Sequence, residues 1–150
     1  MGYITLFFVS FFAATILPVS SELTLVGMLS AKSYESYLLL FFASLGNILG
    51  SCVNWYLGIH FIKFQNKKWF PFSHNSISKA SFWFNKYGQW SLLFAWVPLI
   101  GDPLTFIAGT LKTNFVKFLL FVSFGKIARY CIVIYSVDRI FKFFNLFFYI

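Results

Sequence analysis

Four apolar stretches separated by short polar interludes organise this chain: residues 3 to 17, 37 to 59, 88 to 100 and 115 to 137. None carries the one-sided stripe of a helix lying on a soluble core. Each is apolar all round, as expected of a segment whose solvent is lipid. Two are long enough to cross a bilayer. Residues 36 to 60, SYLLLFFASLGNILGSCVNWYLGIH, rise about 37 Å as a helix, and residues 115 to 137, FVKFLLFVSFGKIARYCIVIYSV, are comparable. The other two fall short, rising about 22 Å before Pro18 and about 20 Å before Gly101.

Each short stretch runs into helix breakers beside a carboxylate. Pro18-Val19-Ser20-Ser21-Glu22 and Pro98-Leu99-Ile100-Gly101-Asp102-Pro103 interrupt the backbone ladder at membrane depth, which is tolerated only within protein or beside a wet cavity. Apolar segments too short to cross, 23 to 31 and 104 to 111, follow the breaks. The pattern predicts an all-α integral membrane protein of one domain, 1–150. Its parts are two full transmembrane helices (36–60 and 115–137) and two opposed re-entrant hairpins (3–31 and 88–111). A basic cytoplasmic loop (61–87) and an amphipathic aromatic tail (138–150) complete it. Four conventional transmembrane helices are the alternative. Positive-inside bias serves both, because Lys112 and Lys117 exchange sides with Arg139 and Lys142. In the loop, Ser76 is expected to N-cap a short interfacial helix with Ile77, Ala80, Phe84 and Tyr87 on one face.

The two halves resemble each other. Ser44, Gly46, Ile48, Cys52 and Tyr56 recur 79 positions later as Ser123, Gly125, Ile127, Cys131 and Tyr135, and the two breaks repeat at nearly the same offset. A duplicated hairpin-plus-span unit, inserted once each way up, would give an inverted repeat with its site at the midplane.

Composition agrees with the membrane reading: 59% of residues are apolar, 24% aromatic and 11% charged, which excludes an ordinary soluble domain. The net charge of +8 follows from lysines gathered in polar interludes, not from a patch suited to nucleic acid. Met1 is followed by apolar residues without Lys or Arg and without a small-residue cleavage site, so the N-terminus is read as mature sequence. Cys52 and Cys131 sit inside apolar runs as small hydrophobes, and no spacing suggests a disulfide framework or a metal site.

The candidate chemistry is therefore confined to a few ionisable groups within the apolar runs: Glu22, Asp102, Lys126 and Arg129. Such groups must face the protein interior, find a partner or exchange a proton. One reading makes the acids proton carriers in a wet cavity, with Lys126 and Arg129 drawing an anionic headgroup inward. The other makes them structural, capping the following half-helices or pairing with Arg129, while Lys126 snorkels. Asn47 and Asn54 share a side of their helix and stand between interhelical glue and substrate contact. Gly46 and Gly50 form a GxxxG packing motif, with Gly109 and Gly125 as further close-approach positions and Pro18, Pro98, Gly101 and Pro103 as the breakers. No catalytic constellation, cofactor motif or metal spacing appears, so an enzyme is not expected.

Three stretches together, LPVSSEL, GNILGSCVNWYLG, and KYGQWSLLFAWVPLIGDPLTFIAGTLK followed by FGKIARY, resemble the YqaA-like branch of the DedA (SNARE-associated, VTT-domain) membrane proteins. The resemblance covers nearly the whole chain. It implies a multi-pass protein of the bacterial inner membrane, in a superfamily associated with lipid movement and proton-dependent membrane homeostasis. Glu22 matches the acid that follows the first-hairpin proline. Better-studied members carry arginines on both sides of the second-hairpin proline, where this sequence has Ala95 and Gly101. The expected activity is a proton-linked transporter or flippase of a lipid or amphiphile, with membrane lipids and a second copy of the chain as partners and no nucleic acid. A non-transporting membrane scaffold packing through its GxxxG face is the alternative.

Overall fold

The computed structural model describes residues 2–15, 20–31, 33–61, 73–97 and 100–148, so Pro18 and Pro98 lie outside the described residues. The elements are α1 Gly2–Thr15, α2 Ser21–Ser30, α3 Ser36–Phe61, α4 His74–Tyr87, a 3₁₀ helix Gly88–Trp96, α5 Gly101–Thr110 and α6 Phe115–Phe148. The described residues contain helices and no strand. Two stretches among them, Ser36–His60 and Phe115–Phe143, are long and apolar enough to cross a membrane. At 14 residues α1 rises about 21 Å, and at 10 residues each α2 and α5 rise about 15 Å, all short of the roughly 30 Å of hydrocarbon.

The long helix α3 is inverted relative to a soluble helix. Its buried positions include Ala43, Ser44, Gly46, Asn47, Gly50, Ser51, Asn54 and Gly58, while Phe41, Leu45, Leu49 and Tyr56 face outward. Helices in lipid gain nothing by burying leucine against leucine, so small residues make the contacts and polar residues bond across them. A Cβ on Gly46 would meet the Phe7 carbonyl, and one on Gly50 the Phe11 carbonyl. The GxxxG face is thus filled by α1 and is not available to a partner, which removes the scaffold's expected contact.

These contacts also fix direction. Residues 7 and 11 rise alongside 46 and 50, so α1 runs parallel to α3. Both start at one level, because the Glu35 N–H donates to the Tyr3 hydroxyl at 3.0 Å and the Tyr3 ring stacks on Phe42. Between Thr15 and Ser36 the chain has come back to the level of Gly2. The second half repeats this: Trp90 packs on Phe121, Gly125 lies against the Leu93 carbonyl, and Arg129 reaches the Trp96 carbonyl, so the 3₁₀ helix runs parallel to α6. The two long helices are antiparallel, with Trp55 on Phe115 and Phe118 at one end and Asn47 beside Lys126 and Tyr130 further along.

The second arms cross over. Helix α5 packs on α3, where Gly58 meets the Phe106 carbonyl and Gly109 the Trp55 carbonyl. Helix α2 packs on α6, its Leu25 buried in a cluster with Leu39 and Tyr130 that Val133 and Ile134 cover. Each first arm therefore lies on its own long helix and each second arm on the other.

Two local expectations change. Helix α4 is N-capped by Ser73, not Ser76: the Ser76 N–H, third in the helix, donates to the Ser73 hydroxyl at 3.2 Å. Ile77, Ala80 and Phe84 are buried against α5 and the 3₁₀ helix, but Tyr87 is 43% exposed and leaves that face. Gly88, at φ 58°, supplies the left-handed turn into the 3₁₀ helix. Helix α6 continues through residue 137 to Phe148 without a break, and Arg139 bonds back to the Tyr135 hydroxyl inside it.

Candidate functional site

Midway along α6, Lys126 and Arg129 lie within one turn, on the side where α2, α3, α5 and the end of the 3₁₀ helix converge. Lys126 is 3% exposed, so it does not snorkel. Its ammonium donates to Asp102 Oδ1 at 3.2 Å and to the side-chain oxygen of Asn47, with the Asn47 carbonyl at 3.5 Å. Arg129 spreads its fork more widely. Nε and Nη2 both approach Glu22 Oε1 at 2.7 Å, and Nη1 donates to the Trp96 carbonyl at 2.8 Å.

A neutral arm links the two pairs. Asn47 accepts from Lys126 and donates through Nδ2 to the Tyr130 hydroxyl at 2.9 Å, which fixes the orientation of the amide. Tyr130, 1% exposed, shares a 2.8 Å hydrogen bond with the Ser21 hydroxyl, one residue from Glu22. The result is one connected network: Asp102, Lys126, Asn47, Tyr130 and Ser21, with Glu22 and Arg129 adjoining through the backbone. A buried polar network of this kind is strong when every member is partnered and costly when one is removed.

The acids occupy equivalent positions. Glu22 and Asp102 sit in the first turns of α2 and α5, whose N-termini both face the middle of α6, where the helix dipole favours negative charge. Neither acid serves as the cap. In α2 the Ser20 hydroxyl accepts from the Leu23 N–H, and in α5 the Asp102 carboxylate turns to Lys126. The pair with Arg129 is made by Glu22, while Asp102 takes Lys126. Glu22 and Asp102 keep 35% and 34% of their side chains exposed, so both pairs have an open side.

Asn54 stands apart from the lysine. It donates through Nδ2 to the Ala14 carbonyl at 2.7 Å and, more weakly, to Thr105 Oγ1 at 3.4 Å. Thr105 in turn donates to the Asp102 carbonyl at 2.7 Å. Of the breakers, Gly101 is buried so tightly that a Cβ would fall on the Ala95 carbonyl, and Pro103 follows Asp102 where its missing N–H costs nothing. Cys52 and Cys131 are free thiols, and no group of three metal-ligating side chains occurs among the described residues.

Tyr130, Ser21, Trp96 and Thr105 were not foreseen as members of the site. Tyr130 was the accessible one, since Lys126, Arg129 and Tyr130 follow the i, i+3, i+4 spacing of a single helix face. Ser21 and the Trp96 carbonyl gave no sequence signal, because a main-chain acceptor exists at every position and only tertiary packing selects one.

The VTT domain matches residues 17–139. The chain belongs to the DedA (VTT-domain) family. This VTT-domain protein is 34% identical over 133 residues to inner membrane protein YqaA of Escherichia coli (strain K12), covering 89% of both chains. It is 30% identical over 141 residues to an uncharacterized protein of Haemophilus influenzae, covering 87% of this chain and 83% of that one. To undecaprenyl phosphate transporter A of Staphylococcus aureus it is 28% identical over 136 residues, covering 83% of this chain and 66% of that protein. No solved structure matches. The family is one of membrane proteins associated with transport rather than catalysis. At the second break Ala95 and Gly101 pack backbone to backbone. Arg129 reaches the same break from α6.

Proposed function

We propose that this VTT-domain protein is a multi-pass protein of the bacterial inner membrane acting as a proton-linked transporter or flippase of a lipid or amphiphile with an anionic head. The carrying observation is the convergence of two acid–base pairs on one turn of α6, at the depth where α2 and α5 begin. Charges at such a place are expensive to bury, which makes them candidates for a pathway by default. A headgroup phosphate or carboxylate competes with Glu22 for Arg129 and with Asp102 for Lys126, and a proton on the displaced acid keeps the balance. An apolar groove of about 350 Å³ between α3 and α6, walled by Ser44 and Ile127 beside this network, offers a place for the attached hydrocarbon chain.

The same reading makes α1–α2 and the 3₁₀ helix–α5 two re-entrant hairpins of an inverted repeat. In support, each first arm parallels its own long helix and each second arm crosses to the other. Asn47 and Lys126, which touch, are also 79 positions apart, the offset of the repeated residues, as equivalent positions meeting on a two-fold axis would be. The test is reconstitution in vesicles with a fluorescent anionic lipid and an imposed pH gradient. The unaltered chain moves lipid faster with the gradient; full activity in Glu22→Gln and Asp102→Asn proteins that insert normally would overturn the proposal.

A further inference from the structure

The two hairpins are tied to each other at two places, and the ties are built alike. At one, Asn54 of α3 bonds the Ala14 carbonyl, in the last turn of the first arm of the first hairpin, and reaches Thr105 of α5. At the other, Arg129 of α6 bonds the Trp96 carbonyl, the last residue of the first arm of the second hairpin, and reaches Glu22 of α2. In each case a long helix contributes one side chain that spans the end of its own hairpin's first arm and the second arm of the opposite hairpin. Both carbonyls belong to the last turn of a helix, where intrahelical donors run out, so each clasp gives a partner to a helix-end acceptor.

The clasps differ in kind. Asn54 is neutral, 1% exposed and directed at groups that do not titrate. Arg129 is charged and partly exposed, 23% for its side chain, and its partner Glu22 can be neutralised by a proton or displaced by another anion. Among the described residues, the other charges of this site are Lys126, three residues before Arg129, and Asp102, which engages Lys126.

We infer that the Asn54 clasp is a fixed hinge and the Arg129–Glu22–Trp96 clasp is the releasable one, so that the hairpins part on the arginine side only. This rests on the transport reading and adds where opening occurs. The device also suits an arginine better than a lysine at 129: the planar fork turns Nε and Nη2 to the carboxylate while Nη1 takes the carbonyl, a two-donor hold on Glu22 that a single ammonium does not reproduce.

Thiol labelling of the full chain in phosphatidylglycerol-containing vesicles tests it, in a Cys52→Ala, Cys131→Ala background. Val97→Cys reports on the arginine side and Thr15→Cys on the asparagine side, with a membrane-impermeant methanethiosulfonate as probe. Glu22→Gln is expected to speed labelling at 97 by about ten- to hundredfold, the loss of a charge-assisted bond, and to leave 15 unchanged. Dodecyl phosphate added to the unsubstituted acid should act in the same direction. Equal acceleration at both reporters, or at neither, overturns the inference. Asn54→Leu, matched in size, is expected to accelerate only 15; acceleration at 97 instead would also overturn it. Labelling is independent of transport, so one-sided opening without lipid movement would sink the transport proposal alone, and lipid movement with symmetric labelling the hinge alone.

Discussion

Arg129 shows how much geometry a single side chain can carry in this membrane protein. Its guanidinium serves Glu22 and the Trp96 carbonyl at once, and each charge-assisted bond is worth about 1.5–3 kcal/mol. Arg129→Lys is expected to keep the charge, accumulate in the membrane, and lose at least about tenfold in lipid movement. Lys126 is the opposite case, a buried ammonium held by Asp102 and Asn47. Asp102→Asn should lower thermal stability in detergent, toward the low end of the roughly 3–5 kcal/mol of a broken buried pair because the carboxylate is partly exposed. Asp102→Asn with Lys126→Met should recover most of that loss; no recovery would mean that the pair is not what burial of Lys126 depends on. Tyr130→Phe removes the hydroxyl joining Asn47 to Ser21 and leaves an amide N–H unpaired, a cost of about 1–3 kcal/mol readable in the same melt. The four ionisable members of this site were legible in the sequence because charges stand out in apolar runs. A pair with Arg129 was among the readings, but which acid makes it was not legible, since Glu22 and Arg129 are 107 residues apart and nothing local distinguishes Glu22 from Asp102 as its partner.

Among the elements, the long helices were read from length and apolarity, and their inner faces from glycines only in part. Gly46 and Gly50 announced close packing by their spacing, but their partner, α1, lies within the same chain. Gly109 is among the expected close-approach positions, but its partner Gly58 on α3 carries no such spacing and becomes visible only where the backbones meet. Gly109→Ala and Gly58→Ala should each cost about 1–3 kcal/mol, because the obstacle to a methyl group is a backbone carbonyl that cannot turn aside. Gly27→Ala, with open space around it, is the control and should change stability little. A melt in which Gly109→Ala matches Gly27→Ala would disprove the close approach of α3 and α5. The second span, read as ending at 137, lies in a helix that continues to Phe148, because Asp138 and Arg139 stand between helix-compatible residues with no Gly or Pro to stop α6.

For the molecule as a whole, the proposed repeat rests on residues 79 positions apart in the sequence, while the crossing of α2 and α5 onto opposite long helices had no sequence signal, being a property of assembly. The proposed re-entrant topology would put Lys79 and Lys112 on one side of the membrane and Asn145 on the other. Single cysteines at these positions in a Cys-free background should label accordingly from one face. Lys79 and Lys112 on opposite faces would instead restore four conventional spans. Within this frame, the central network holds two acids and two bases, whose formal charges cancel. That balance has an electrical consequence. A monoanionic head entering together with one proton crosses without net charge, so its rate should not respond to membrane voltage. A dianionic head with one proton carries a charge through the field, at about 2.3 kcal/mol per 100 mV. Vesicles clamped with valinomycin and potassium would read the difference as voltage sensitivity for the one head and indifference for the other.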